Sequence, residues 1–196
     1  MTARHEITLS DIMPVAEYGK IRAVKRKELA ARKKNRRVDV GPHVTFYFEN
    51  YDTMWSQVHE MLYIEKGGEE QAKEELKAYN PLVPNGRELV ATFMVEIDDP
   101  ERRKRVLGQL GGIEETAFLM IGGERVAARP EEDQDRTTAE GKASSVQFVH
   151  FPISDAQAKA LKTEGTQVIV GLGHDNYNHM AVVSERVRAE LAGDVD

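Results

Sequence analysis

Histidine and carboxylate side chains are the residues of this sequence best suited to chemistry. Imidazole and carboxylate groups together suit zinc or non-haem iron. No H-E-x-x-H motif occurs, and the chain has no cysteine, so a metal site would have to combine distant stretches. A solvated or core histidine is the simpler interpretation of each single ring. The candidate metal ligands are His43, His59, Glu60 and His174.

Polar side chains of the middle third could also form a small-molecule pocket. A strand near 43–49 and a helix over 53–66 are expected to face each other, which would bring carboxylates together. One of two facing carboxyl groups would have a raised pKa and could act as a general acid or base. The alternative is that these carboxylates pair with Arg36 and Arg37 as structural salt bridges. The candidate pocket residues are His43, Glu49, Gln57, Glu60, Glu65, Tyr79 and Asn80.

Aromatic residues accompany these polar groups, and familiar catalytic motifs are absent. Tyr47, Tyr51, Trp55 and Tyr63 could line a ligand cleft, or belong to the core or a subunit contact. Neither G-x-G-x-x-G nor G-x-x-x-x-G-K-[ST] occurs, and there is no G-x-S-x-G motif. The sequence therefore gives no support to a dinucleotide-binding enzyme, a P-loop enzyme or a serine hydrolase.

A basic run interrupts an otherwise acidic chain. Residues 20–37 contain ten basic side chains and one acidic side chain, whereas the net charge of all 196 residues is −6. One interpretation is a solvated helix face followed by a linker. The other is a site for an anion or an acidic partner, centred on Arg36 and Arg37 and including Lys33 and Lys34. Nucleic-acid binding is disfavoured because the remaining surface is acidic.

Hydrophobic periodicity predicts an α+β protein with a mostly antiparallel sheet and helices packed against it. We expect a single domain over 1–196, rich in helix over 1–86 and in strand over 87–196. A long basic helix follows Ser10, and Gly19 could divide it in two. The predicted strands cover 38–50 (broken at Gly41-Pro42), 88–97, 116–129 as a hairpin, 146–151 and 166–172. Further helices are predicted over 53–66, 69–79, 100–110, 155–162 and 180–191, with a mobile loop at 130–145.

The composition favours a soluble cytoplasmic protein. No apolar run approaches the roughly 20 residues that span a bilayer. The first residues lack the charged and apolar segments of a signal peptide. The absence of cysteine excludes disulfides and thiolate metal sites.

Several segments resemble a bacterial family known as domain of unknown function number 3501. The resemblance extends from about Leu9 to Tyr177, and its most distinctive parts are the N-R-R…G-P-H and A-Y-N-P-L stretches. It implies a role near peroxide or redox metabolism, because members of the family look to be encoded beside rubrerythrin-like and iron–sulfur oxidoreductase proteins. It implies no mechanism. His150 stands where the family suggests arginine, and His174-Asp175 replaces an expected His-Pro pair, which argues against a common metal site there. The segments are KKNRRVDVGPH, FENYDTMWSQVHEML, AYNPLVPNG, LGGIE and GHDNY.

Two functional hypotheses follow. The first is an accessory protein that binds an acidic partner of a redox or oxidative-stress system, such as a rubrerythrin-like or iron–sulfur oxidoreductase protein. The second is a zinc- or iron-dependent enzyme acting on a small molecule. A homodimer is also compatible with the sequence, through the Tyr51 and Trp55 region or through the terminal helix.

Overall fold

A computed structural model describes residues 4–131, 137–138 and 141–196. Within these ranges the chain forms six α-helices and short 3-10 turns. The longest helix, α1, has 19 residues and contains most of the basic run. The helices are α1 (Val15–Lys33), α2 (Tyr51–Glu65), α3 (Gly68–Tyr79), α4 (Pro100–Leu107), α5 (Asp155–Lys162) and α6 (Glu185–Leu191).

The strands of the described residues form two antiparallel sheets. Sheet 1 has the strand order β1-β2-β3-β7-β6, and sheet 2 has the order β5-β4-β8-β9. The strands of sheet 1 are β1 (Arg37–Val40), β2 (Val44–Glu49), β3 (Glu88–Val95), β6 (Arg129–Pro130) and β7 (Val146–Pro152). Those of sheet 2 are β4 (Ala117–Ile121), β5 (Glu124–Ala127), β8 (Val168–His174) and β9 (Tyr177–Val182).

The main core lies between the inner faces of the two sheets. Alternating residues of β2 place Phe46 and Phe48 on this side, where they pack against Phe93 and Phe151. All four rings are almost completely buried. The period of two that alternation imposes on a strand therefore fixes which residues of β2 face the main core.

A second, smaller core lies between the helices and the outer face of sheet 1. Met54, Val58 and Leu62 follow one side of α2 and pack with Leu76 of α3 and Val90 of β3. Helix α1 packs against α2 from the other side and has one fully buried residue, Tyr18. Most of α1 is therefore an outer element with one side facing solvent. We call α1, α2 and α3 together the helical layer.

Local sequence signals account for the ends of the helices. The Asn50 side chain accepts a hydrogen bond from the Thr53 backbone N–H at the start of α2. Asp99 and Ser154 cap α4 and α5 in the same way. Lys66 adopts a left-handed conformation with φ of 59° and ends α2.

The α+β class and the long basic helix are confirmed, with details that differ from the predictions. The antiparallel strands form two sheets rather than one. Helix α1 continues through Gly19 without a break. The helix predicted over 180–191 is wrong at its start, because Met180–Val182 pair with β8 as part of β9. Part of the loop predicted at 130–145 lies outside the described residues.

None of the described helices is long and apolar enough to cross a membrane.

Candidate functional site

The side of α1 that points away from α2 combines lysines with small apolar side chains. Because α1 contacts the remainder of the protein mainly through α2, this side is left uncovered. Val24, in its middle, is 59% exposed. We call this surface the basic face; it consists of Lys20, Ala23, Val24, Lys27, Ala30, Ala31 and Lys34, all exposed.

The opposite side of α1 is fixed to α2 by an ion pair. Arg22 donates from Nε and Nη2 to the two carboxylate oxygens of Glu60, at 2.9 and 2.7 Å. The Tyr18 hydroxyl donates to Oε1 of the same carboxylate at 2.8 Å. The hydrogen bond from Arg22 outweighs burial and lowers the pKa of Glu60. Glu60 therefore orients α1 on α2 as a charged acceptor.

A cleft of about 320 Å³ lies between the second half of α1 and the start of α2. Tyr51 and Trp55 of α2 form its aromatic part, and Leu29 reaches it from α1. Burial, followed by the nearby Asp11 carboxylate, raises the pKa of Tyr51 to about 12. The remaining lining residues are Arg4, Met13, Lys25, Glu28, Arg32, Asp52 and Ser56.

Charged pairs surround the opening of this cleft. Lys25 pairs with Glu28 at 3.0 Å, and Arg32 pairs with Asp52. Arg4 pairs with Asp11, and its guanidinium lies 4.0 Å from the centre of the Tyr51 ring. The Lys25–Glu28 and Arg32–Asp52 pairs are exposed on both sides, so they contribute little to stability and exchange readily with other partners. In the third pair Arg4 is exposed and Asp11 is mostly buried.

His59 supports the cleft from behind. Its ring packs against Trp55, with centroids 3.8 Å apart and ring planes tilted by 33°. Nε2 accepts the Met13 backbone N–H at 3.0 Å, and Nδ1 donates to the Trp55 carbonyl at 2.8 Å. Burial lowers the pKa of His59, which favours the neutral ring. Both ring nitrogens are therefore engaged in positioning the residues around the cleft.

The basic run divides at Arg36. The side chain of Arg36 is 2% exposed and donates to the backbone carbonyls of Phe48 and Glu49 at 3.0 and 3.1 Å. It also pairs with Asp194 and, at 3.5 Å, with Glu190. Burial raises the pKa of Asp194 even though the Arg36 charge opposes that change. The sequence predicted that Arg36 lies at the centre of an exposed partner site. That prediction needs correction, because the guanidinium N–H donors of Arg36 face inward.

The neighbours of Arg36 remain at the surface. Arg37 is exposed and lies 3.8 Å from Asp39. Lys34 is exposed, and Lys33 is half-buried. Of the residues predicted for the partner site, Lys34 and Arg37 are therefore accessible, and Lys33 is partly accessible.

The predicted pocket residues make separate contacts. The buried Glu49 carboxylate accepts from the Thr92 hydroxyl at 2.8 Å. Gln57 and Tyr79 contact each other at 3.4 Å, whereas Glu65 accepts from Gln71. Asn80 holds both backbone groups of Ile7. Each of these side chains has a structural contact of its own. Glu60 lies in the α1–α2 contact, and His43 lies in the β1–β2 turn.

The predicted metal ligands occupy separate regions. His43, in the β1–β2 turn, lies 3.4 Å from Arg102, and His59 and Glu60 belong to the α1–α2 contact. His174 contacts the Gly111 carbonyl at 3.2 Å and accepts the Asn176 backbone N–H. Within 4–131, 137–138 and 141–196, no three His, Asp or Glu side chains form a group suited to a metal.

Tyr177 joins two of the segments on which the family resemblance rests. Its hydroxyl donates to the Val40 carbonyl at 2.8 Å and accepts the backbone N–H groups of His43 and Val44. Gly41 has a φ of 68°, and a Cβ there would lie 2.6 Å from the His179 ring. The G-P-H and late G-H-D-N-Y stretches therefore meet as a structural junction between the sheets.

His150 forms a charged group that the sequence did not indicate. Its ring lies between Glu88 at 3.1 Å and Glu131 at 2.9 Å. Burial opposes protonation, but the hydrogen bonds to both carboxylates prevail and raise the pKa of His150. This group ties β3, β7 and the residue after β6 together.

The chain belongs to the family described as "Protein of unknown function (DUF3501)", whose model matches residues 6–195. It is also similar to a solved structure from Burkholderia pseudomallei K96243, described as a novel protein of unknown function and determined at 1.90 Å. That protein is 37% identical, with a TM-score of 0.90; the match covers 97% of this chain and 99% of the other. No curated protein matches the chain.

Sequence reasoning identified only part of the cleft. Tyr51 and Trp55 were candidates for a cleft lining, and Lys25 and Arg32 belonged to the basic run. The spacing of Lys25, Leu29 and Arg32 places them on one helix side and is the signal that could have extended the set. Arg4 and Met13 come from the segment before α1, and no periodicity marks them.

Proposed function

We propose that this protein is a binding protein that recognises an acidic protein partner through the basic face. The observation that carries the proposal is the composition of this face: lysines separated by alanine and valine on a helix with only one side packed. Lysines at Lys20, Lys27 and Lys34 project on long side chains, while Ala23, Ala30 and Ala31 leave the backbone accessible. A second helix with acidic side chains could approach closely here.

Charge complementarity supports an acidic partner. On the basic face, Lys27 and Lys34 form no ion pair within 4 Å among the residues that the structure describes, and Lys20 pairs with the exposed Glu17. Cations without internal partners attract a negative surface during encounter and fix its orientation in the complex. The acidic remainder of this chain disfavours nucleic acid, whose phosphates it would repel.

An acidic protein of a redox or oxidative-stress system is the partner that the family resemblance suggests. A rubrerythrin-like or iron–sulfur oxidoreductase protein would present the required chemistry if its surface is acidic. The alternative of a zinc- or iron-dependent enzyme has no comparable support, because its candidate ligands lie in separate regions of the described chain.

Titration calorimetry with purified rubrerythrin-like and iron–sulfur oxidoreductase proteins of the same organism tests the proposal. Replacement of both Lys20→Glu and Lys27→Glu should weaken binding at least about tenfold, since each reversal replaces an attraction by a repulsion. Lys162→Glu, at an exposed lysine of α5, is the matched control and should leave affinity unchanged.

Two further measurements vary the salt concentration and replace the partner by duplex DNA. Affinity should fall as sodium chloride rises from about 0.03 M to about 0.5 M, because ions screen exposed charges. An affinity that changes neither with salt nor with the double charge reversal would contradict the proposal. Tight binding to duplex DNA, with none to acidic proteins, would reassign the basic face to nucleic acid.

A further inference from the structure

We infer that the cleft between α1 and α2 receives one aromatic side chain of the acidic partner. This inference rests on the proposed function and adds to it a specificity pocket. The predicted partner segment is a helix that carries carboxylates along one side and a single aromatic residue among them. The basic face would bind the carboxylates, and the cleft would bind the ring.

The size and lining of the cleft suit a single side chain. Its volume of about 320 Å³ lies at the lower limit of ligand pockets, which occupy roughly 300–1,000 Å³. Tyr51 and Trp55 line it with aromatic side chains, and Met13 and Leu29 line it with flexible apolar side chains. Aromatic anchors in such pockets, surrounded by polar contacts, contribute much of the affinity of protein interfaces.

The charges at the opening favour an acidic surrounding for the anchor. Arg4, Lys25 and Arg32 lie there in ion pairs with Asp11, Glu28 and Asp52, and the pairs of Lys25 and Arg32 are exposed on both sides. Exposed pairs of this kind are weak, so carboxylates of a partner can replace the internal acids at small cost. A neutral segment would leave the arrangement as it is and gain only the apolar contact.

Glu28 connects the cleft with the basic face. It lines the cleft, and it lies four residues after Val24 and three residues before Ala31 on the same helix. Residues at these spacings are surface neighbours on a helix. One partner segment can therefore extend along the basic face and place one residue in the cleft. Glu28 is the only acid in residues 20–37 and opposes such a segment.

The test uses the full chain and short synthetic peptides of glutamate and alanine with one central phenylalanine. Trp55 is the only tryptophan of the protein and lines the cleft, so its fluorescence reports occupation directly. We expect the peptide to change Trp55 emission. A Phe→Ala peptide should bind about tenfold more weakly or worse, because burial of the ring is lost. A peptide with every Glu replaced by Gln should lose most of its affinity.

Protein variants test the same idea from the other side. Leu29→Phe fills the cleft without altering charge and should abolish the difference between the Phe and Ala peptides. Glu28→Gln should tighten binding of the acidic peptide a few-fold, because a repulsion is removed. The matched control is Glu70→Gln, an exposed carboxylate of α3, which should change nothing. Circular dichroism establishes that each variant is folded.

Other outcomes decide against the inference in distinguishable ways. If the Phe and Ala peptides bind equally and in a salt-sensitive manner, the anchor pocket is wrong while the proposed function stands. If no acidic peptide binds at low salt, both fail. If sedimentation reveals a dimer that Lys27→Glu dissociates, the basic face belongs to a second copy of this chain, and the inference is overturned.

Discussion

The sheet region and the helical layer differ in how their charged side chains are paired. Around the sheets, buried charged groups pair across long stretches of sequence, as Arg36 does with Asp194. On the outward side of α1, the ion pairs of Lys20 with Glu17 and Lys25 with Glu28 are local and exposed. The side of α1 that faces α2, by contrast, carries a long-range, partly buried pair, between Arg22 and Glu60. The difference separates charge that stabilises the fold from charge that stays available to a partner.

The basic run contains both kinds of charge within a few residues. Lys34 is exposed at the end of α1, whereas Arg36, two residues later, is enclosed by the start of β1, the end of β2 and the C-terminal segment. Formal charge alone therefore does not indicate the role of a basic residue in this protein. What decides the role is whether the residue faces the sheet core or the open side of α1.

The largest expected effect comes from removal of the buried guanidinium. Arg36→Met should lower the free energy of unfolding by about 3–5 kcal/mol, because Asp194 is left buried without its counter-charge. Arg37→Met is the exposed neighbour and should change stability by less than about 0.5 kcal/mol. Urea unfolding measures both.

Adding Asp194→Leu to Arg36→Met should recover part of the lost stability, because no buried charge then remains. Equal losses for Arg36→Met and Arg37→Met would contradict the distinction between the two regions.

Two glycines with positive φ provide the next contrast. Gly68→Ala, in the helical layer, should cost about 1 kcal/mol, since φ is 74° and no atom lies within 4 Å of the new Cβ. Gly41→Ala should cost at least about 1 kcal/mol more, because the methyl group would lie against the His179 ring and the Tyr177 hydroxyl. Thermal unfolding at fixed pH compares the pair, and equal losses would show that the junction around Tyr177 yields freely.

The smallest effects concern pH, and two histidines should act in opposite directions. The raised pKa of His150 means that its stabilising contribution is present below its ordinary value of 6.5 and is lost as pH rises through the folded pKa. The lowered pKa of His59 gives a contribution present above 6.5 and lost as pH falls through the folded pKa.

Urea unfolding from about pH 5 to about pH 9 checks this contrast. His150→Gln should flatten the alkaline limb of the stability curve, and His59→Gln should flatten the acidic limb. Unchanged limbs in the two variants would mean that neither ring is coupled to folding as its contacts indicate.

Much of the fold could be predicted because its signals are local. The alternation of Val44, Phe46 and Phe48 identifies a strand, and Asp99-Pro100 marks a helix start. The strand was expected to be half-buried, whereas both of its faces are largely buried because the helical layer covers the outer one. Met180–Val182 misled the prediction since a short edge strand and the first turn of a helix look alike in sequence. These residues form a strand because they pair with β8, and strand pairing depends on residues that a local sequence pattern does not include.

The candidate site was less predictable for the same reason. Nothing in the sequence distinguishes Arg36 from Arg37, because the difference depends on Asp194. The contact of His59 with Trp55 follows from helical spacing, but the Met13 backbone group that engages its second nitrogen comes from another segment. His59, a metal candidate in the sequence, is thus engaged in structural contacts through both ring nitrogens.

The Arg36–Asp194 pair also has a consequence for synthesis of the protein. Residues 187–195 complete the core through Val187, Leu191 and Val195, and Val195 pairs with Gly86. A nascent chain therefore exposes Arg36 and one end of its sheet core until these residues have left the ribosome. The Arg36–Asp194 pair can form only after 158 further residues have been translated, whereas α1, α2 and α3 can associate much earlier.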